Sequence, residues 1–288
     1  MRDILYESSG KWNSRKGPMG EIFQRIPCME YVIVCAVALL ASGLTFFSGF
    51  GLGTILMPVL ALFFPVPIAI AATAVVHFTN NLFKLVLVGR MANKSVLLRF
   101  AIPAVIAALI GASLLSYVVV LPVIAKYELM GKLHEITAIK LAIGGIIIVF
   151  SLLELIPRFA SIAIDKRHMV LGGVLSGFFG GLSGNQGALR SMFLIKAGLN
   201  KDEFIGTSVV SAVMVDMARL LVYGVGFFTI HFSVVSNMQG LILAATISAF
   251  AGALLGRELL KKITLRAVQV VIGVMLIFLG VILSVGLI

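Results

Sequence analysis

The sequence predicts an all-α, polytopic helical membrane protein made of two homologous four-segment repeats of inverted orientation, each opening with a glycine-broken helix. Three observations carry that prediction. The 288 residues are 60% apolar and 12% charged, with a mean hydropathy of +1.12, whereas a soluble chain carries roughly 45–50% apolar and about 25% charged residues. Apolar blocks recur along the chain, most of them long enough to cross a hydrocarbon core of about 30 Å at 1.5 Å per residue. Two glycine-rich interruptions stand at matched places in its two halves. A soluble enzyme, a disordered tail and a disulfide scaffold are excluded, because surface scaling obliges a soluble chain of this size to show water a large polar surface.

Taken in order, residues 1–28 form a polar tail with Arg2, Lys11, Arg15, Lys16 and Arg25. No small-residue cleavage site precedes polar mature sequence here, so the first apolar stretch is read as retained rather than as a signal peptide. Apolar blocks then lie at about 31–64, 68–89, 97–124, 137–157, 169–195, 203–228, 234–256 and 267–288. They lack the alternation of a β-barrel, so the spans are expected to be helices. Cys28 and Cys35 are two helical turns apart, about 10 Å along the axis and beyond disulfide reach.

The first block is interrupted by Ser48-Gly49-Phe50-Gly51-Leu52-Gly53, followed by Thr54 and Pro58. The fifth is interrupted by Gly180-Gly181-Leu182-Ser183-Gly184-Asn185-Gln186-Gly187. Gly53 and Gly187 are 134 positions apart, and the same offset relates Ser42-Gly43 to Ser176-Gly177 and Thr73-Ala74-Val75-Val76 to Thr207-Ser208-Val209-Val210. With one inserted residue, Asn81-x-x-Lys84 answers to Asp216-x-x-Arg219. The chain therefore divides into the tail (1–28), a first transmembrane repeat (29–157), a cytoplasmic linker (158–168) and a second transmembrane repeat (169–288).

Charge supplies the orientation. The net charge of +11 suits cytoplasmic loops that retain Lys and Arg rather than nucleic-acid binding. If block five dips in and returns, the basic residues after blocks two, four, five and seven all fall on the cytoplasmic side. The segment after block three, with Lys126, Lys132 and Lys140 offset by Glu128 and Glu135, then faces outward as a loop. This makes corresponding blocks antiparallel, the pattern of secondary transporters. Strict symmetry would place the basic tail outside, while its charge favours the inside.

Two groups of residues carry candidate chemistry. A broken helix frees backbone N–H groups that hydrocarbon does not tolerate unless they line a polar cavity. The half-helices starting near Gly53 and Gly187 would direct those groups, with partial positive charge, at an anion. Gly49, Gly51, Gly53 and Thr54 from the first break, and Ser183, Gly184, Asn185, Gln186 and Gly187 from the second, are therefore candidate substrate-binding residues. Arg190 joins them, because its fork matches an oxyanion; the alternative is an arginine snorkelling to the cytoplasmic interface. On block two, His77, Asn80, Asn81 and Lys84 share one helical face, and Asn81 and Lys84 are assigned to the substrate. Lys84 has the same snorkelling alternative. On block six, Asp216 and Arg219 form a local i, i+3 pair. Asp216 is the carboxylate deep within a span, so Asp216 and His77 are the groups expected to couple transport to protons.

No phosphate-binding loop, no metal-ligand spacing and no catalytic triad order is present in the sequence, so neither an enzyme, a cofactor nor a metal is expected. The duplicated four-helix unit resembles the sulfite exporter TauE/SafE family of membrane transporters. The resemblance rests on Ser48-Gly-Phe-Gly-Leu-Gly-Thr-Ile-Leu-Met-Pro58 and Gly180-Gly-Leu-Ser-Gly-Asn-Gln-Gly-Ala-Leu-Arg190 and covers about residues 30–288. It implies a multi-pass protein of the cell's inner (plasma) membrane that moves sulfite, a sulfonate or a related small organic anion. The anion would sit between half-helix N-termini at the repeat interface. The expected partners are the anionic solute and the lipid bilayer, with a homo-oligomer left open. The competing expectation is a non-transporting assembly or accessory protein whose glycines serve only helix packing.

Overall fold

Apolar sequence of the lengths above folds into helices because hydrocarbon leaves backbone polar groups no partner outside their own segment. The computed structural model describes residues 28–48, 52–129, 131–156, 164–224, 238–259 and 265–287. The tail before Cys28, Gly49, Gly51 and much of the 158–168 linker lie outside the described residues. The helices are α1 (Cys28–Ser48), α2 (Leu52–Ala61), α3 (Val66–Val88), α4 (Lys94–Val119), α5 (Ala138–Leu155), α6 (Met169–Ser183), α7 (Gly187–Leu194), α8 (Lys201–Tyr223), α9 (Gln239–Leu259) and α10 (Leu265–Ser284). Four of the described helices, those at 66–91, 94–119, 201–223 and 239–256, are long and apolar enough to cross a membrane. Their lipid-side residues, such as Val86, Ile106, Ile110, Leu221 and Leu243, are exposed.

Glycine decides which helices touch. α4 runs alongside α6 in parallel: Gly173, Gly177 and Gly181 face the backbone carbonyls of Phe100, Ala104 and Ala108 in turn. α1 and α9 pair in the same way, with Gly252 against the carbonyl of Leu39 and Gly256 against that of Gly43. Removing the side chain lets the backbones approach, the usual packing of small residues in membrane helices. The other two principal pairs run antiparallel. α5 lies on α10, with Gly144 beside Gly280 and Ser284, and Leu155 beside Gly273. α3 lies on α8.

Caps fix the relative ends. Asn93 caps α4 by accepting from the Val96 amide at 3.2 Å, and its Nδ2 donates to Glu203 Oε1 at 3.1 Å. Glu203 and Asn200 complete a capping box at the start of α8. The end of α3 and the start of α8 therefore share one face of the bundle. α7 folds back beside α6: the Ile164 amide donates to the Met192 carbonyl at 3.0 Å, so the two ends of this hairpin lie together.

One element departs from the all-α expectation. The segment after α4, read as a loop, is an antiparallel β-hairpin of β1 (Val123–Leu129) and β2 (Lys132–Thr137). Val, Ile, Tyr and Thr favour a pleated surface, and Gly131 at φ 74° turns the chain between the strands. Tyr127 pairs with His134 and stacks on it, ring centroids 5.4 Å apart. Lys126 pairs with Glu135, and its ammonium, 2.5 Å away, holds that carboxyl below the usual carboxylate range. Tyr127 also donates to the Val285 carbonyl at 2.6 Å, pinning the hairpin to the end of α10.

The glycine contacts make a direct prediction. A Cβ on Gly177 would lie within 3 Å of three backbone atoms of Ala104, which cannot move aside as a side-chain tip can. Gly177→Val is expected to lower the unfolding temperature in detergent sharply, corresponding to at least the ~1–3 kcal/mol usual for overpacking. The same change at Gly145, where nothing lies within 4 Å, should leave that temperature near the unchanged protein's.

Candidate functional site

The polar residues of α3, α8 and the α6–α7 link meet at the centre of the bundle. α6 ends because Gly184 adopts φ 83°, a left-handed conformation that favours glycine. A Cβ there would also lie 2.7 Å from the Arg219 guanidinium, which fills the space that glycine leaves. Asn185 and Gln186 bridge to Gly187, where α7 starts with no side-chain cap on its first amides. Ser176 steadies the link by donating to the Gln186 carbonyl at 3.0 Å, and Asn185 donates to Ser183 Oγ at 3.2 Å.

The first break arrives at the same place. α2 begins at Leu52, and a Cβ on Gly53 would lie 3.4 Å from the Gly184 carbonyl oxygen and 3.8 Å from the side chains of His77 and Thr73. The starts of two short helices therefore converge beside His77. Thr54 is buried next to Gly53.

Asp216 is the hub. It is fully buried, and both its oxygens are engaged. Oδ2 lies 2.6 Å from His77 Nδ1 and accepts from Asn81 Nδ2 at 3.1 Å. Oδ1 accepts from Gln186 Nε2 at 3.1 Å and lies 2.9 Å from Arg219 Nη2. Gln186 passes the connection on, its Oε1 accepting from Arg190 Nη1 at 3.1 Å. Arg190 and Lys84 are within electrostatic range of one another, and both are buried. A continuous polar network thus runs from α3 through α8 to α7 inside an apolar bundle.

The network brings together most of the residues singled out in the sequence: His77, Asn81, Lys84, Gly53, Gly184, Gln186, Arg190 and Asp216. Ser183, Asn185 and Gly187 belong to the buried link beside it. Asn80 parts from the group, because its Oδ1 accepts from Ser42 at 3.2 Å toward α1. Arg219, read as a local partner of Asp216, also points its Nη1 at the Gly180 carbonyl, 3.5 Å away. Two contributors were missed. Tyr223, one turn beyond Arg219, donates to the Gly181 carbonyl at 2.5 Å and floors a small apolar recess with Pro67, Ala71, Leu115, Ser116 and Val119. Thr73 was marked in the sequence only by its recurrence at Thr207. Its buried hydroxyl, with those of Ser191 and Ser208, has no hydrogen-bond partner among the described residues. Among those residues no cluster of His, Cys, Asp or Glu suits a metal ion.

Apolar helices of membrane length around a buried, charged centre define a multi-pass membrane protein. The sequence profile described as Sulfite exporter TauE/SafE matches residues 34–283, and the chain belongs to that family of membrane transporters. The family's members move solutes and are not enzymes. No curated protein and no solved structure matches the chain.

The network predicts strong coupling in stability. Asp216→Ala removes the ion-pair partner of Arg219 in the core, and Arg219→Ala removes the fixed charge opposite Asp216; each is expected to cost up to about 3–5 kcal/mol, the penalty of breaking a buried ion pair. The double variant Asp216→Ala/Arg219→Ala should lose clearly less than the two single losses combined. Simple additivity, measured by unfolding in mixed micelles, would show that the pair does not act as a unit.

Proposed function

We propose that the chain is a secondary transporter of a small oxyanion, with sulfite, a sulfonate or a related small organic anion as the cargo. The anion is held at the centre of the bundle between the N-termini of α2 and α7. The observation that carries this reading is the charge buried within the spans: among the described residues, Lys84, Arg190, Arg219 and Asp216 are all buried there. Buried charge within a membrane bundle is costly and marks a solute path by default. Helix N-termini add partial positive charge at the same point. The assigned ligands are Gly49, Gly51, Gly53, Thr54, Ser183, Gly184, Asn185, Gln186, Gly187, Arg190, Asn81 and Lys84. Buried hydroxyls in need of a partner, Thr73 above all, supply further donors.

The packing supports two inverted repeats, 29–157 and 169–288, joined by the linker at 158–168 and preceded by the tail at 1–28. Exchanging α1 with α6, α3 with α8, α4 with α9 and α5 with α10 turns each principal helix pair into another or into itself. The parallel course of α1–α9 and α4–α6, with the antiparallel course of α3–α8 and α5–α10, is what inverted repeats would give. α6 and α7 then form a re-entrant hairpin. This is the arrangement that permits alternating access around a central site, and it suits a protein of the inner membrane. The glycines of the long helices, Gly181 among them, serve packing; Gly53, Gly184 and Gly187 are assigned to the site.

Two measurements test the reading. In inverted vesicles, Arg190→Gln is expected to insert normally and to lower sulfite flux roughly ten- to a hundredfold, the weight of one lost charge-assisted bond. Unchanged flux would remove Arg190 from the anion's shell. Coupling is assigned to His77 and Asp216, whose 2.6 Å contact allows a proton to reside on either partner. His77→Asn keeps a donor toward Asp216 and cannot titrate. Its flux should no longer respond to an imposed pH gradient, and a response equal to that of the unchanged protein would end the coupling role.

A further inference from the structure

We infer that the free edge of β1 pairs with β1 of a second copy, antiparallel and centred on Tyr127, so that two chains share one four-stranded sheet outside the membrane. The inference concerns a different part of the molecule from the anion site and stands without it.

The hairpin has two edges, and one is already covered. On β2, the Glu135 carbonyl accepts from Lys140 Nζ at 3.2 Å, and Gly286, just past α10, leaves no room for a side chain beside the same oxygen. β1 has no such cover. Ile124, Ala125, Lys126, Glu128 and Leu129 are all exposed, and among the described residues no backbone bond from outside the ladder reaches the strand. An open edge of this kind presents a row of N–H and C=O groups ready to template another strand. Hydrocarbon does not tolerate such a row, so the edge lies outside the apolar core of the bilayer.

Backbone and charge select the same register. The Glu135 carbonyl, bound by Lys140, turns away from β1. Lys126 is the cross-strand partner of Glu135, and in an antiparallel ladder paired residues turn their backbone groups toward or away from each other in alternation. Lys126 and Glu128 therefore offer N–H and C=O to the open edge, while Tyr127 between them is tied to His134. Two β1 strands placed antiparallel about Tyr127 bring Lys126 of each copy opposite Glu128 of the other, where they can exchange both backbone bonds. The side chains there are of opposite charge, which favours the pair. Centring on Lys126 or on Glu128 instead sets like charges opposite each other. The Glu128 carboxylate has no partner among the described residues. On the other face of the sheet, Tyr127 already stacks on His134, and the pairing extends that stack to a row of four rings.

The symmetry suits a membrane. The face that carries Tyr127 is turned to the end of α10, where its hydroxyl donates to the Val285 carbonyl at 2.6 Å. The two-fold axis of an antiparallel pair stands perpendicular to the sheet, so here it points along the bundle. That direction keeps both copies upright in one bilayer, and the interface is self-complementary as a two-fold contact requires. α4 runs directly into β1, and its exposed Ile110, Leu114 and Tyr117, on one helical face, extend the contact into the bilayer.

The experiment follows energy transfer between donor- and acceptor-labelled full-length chains in dilute lipid vesicles. The unchanged protein is expected to associate as a dimer. Glu128→Lys sets lysine against lysine, and Lys126→Glu sets glutamate against glutamate; each alone should weaken association about tenfold or more. Mixing donor-labelled Glu128→Lys with acceptor-labelled Lys126→Glu restores opposite charges at both positions, and transfer should recover. A second readout changes no charge. Ala125→Cys in one copy and Leu129→Cys in the other, in a background lacking Cys28 and Cys35, stand opposite each other in this register and should form a disulfide only when mixed. An unchanged protein that is monomeric, its edge then lying against lipid headgroups, overturns the inference. So does association that neither charge reversal weakens. Failure of the mixed cysteine copies to cross-link overturns the register and the pairing with it, whatever the charge variants do.

Discussion

Asp216 has no exposed surface and four neighbours that reach its two oxygens. A carboxylate so deep in an apolar bundle is tolerable only when every lone pair has a donor. That requirement explains much of the surrounding architecture. It accounts for Asn81 and His77 one turn apart on α3. It accounts for the break at 184–186, which lets the Gln186 side chain reach inward, and for the absence of a side chain at Gly184, which admits Arg219. The polar centre and the interrupted helix are therefore consequences of one another.

Close helix packing sets the frame in which this happens. In water a helix pair gains by burying apolar side chains; in lipid that gain is absent, and association depends on close fit and hydrogen bonds. The α4–α6 and α1–α9 pairs obtain the fit by omitting side chains, so their backbones meet directly. The α5–α10 pair does so in part, at Gly144, Gly273 and Gly280. The α3–α8 pair is different, since it carries the polar residues.

Much of this was legible in the chain. Hydropathy and length pointed to the four long spans, and the run from Gly180 to Gly187 covers the stretch where α6 ends and α7 begins. The hairpin at 123–137 was not legible. Its alternation is short and mixed with charge, and it comes directly after an apolar helix that masks its start. The convergence on Asp216 was hidden for another reason. An i, i+3 pair such as Asp216–Arg219 reads as locally complete, so nothing along the sequence indicates that the same carboxylate also receives His77, Asn81 and Gln186 from far away. Asn81 and Asp216 stand 135 positions apart in the sequence and still meet directly. Asn80, on the same helical face, meets Ser42 of α1 instead, because one face of a helix spans enough arc to serve two neighbours.

The glycine contacts also determine what can move as a body. Each backbone-to-backbone pair takes one helix from the first half of the chain and one from the second. Such seams have little side chain to rearrange and so resist sliding. Two units that moved as the packing suggests would pair α1 with α9 and α4 with α6, like two clasped hands with fingers exchanged, and would part through the α3–α8 contact where the polar network lies.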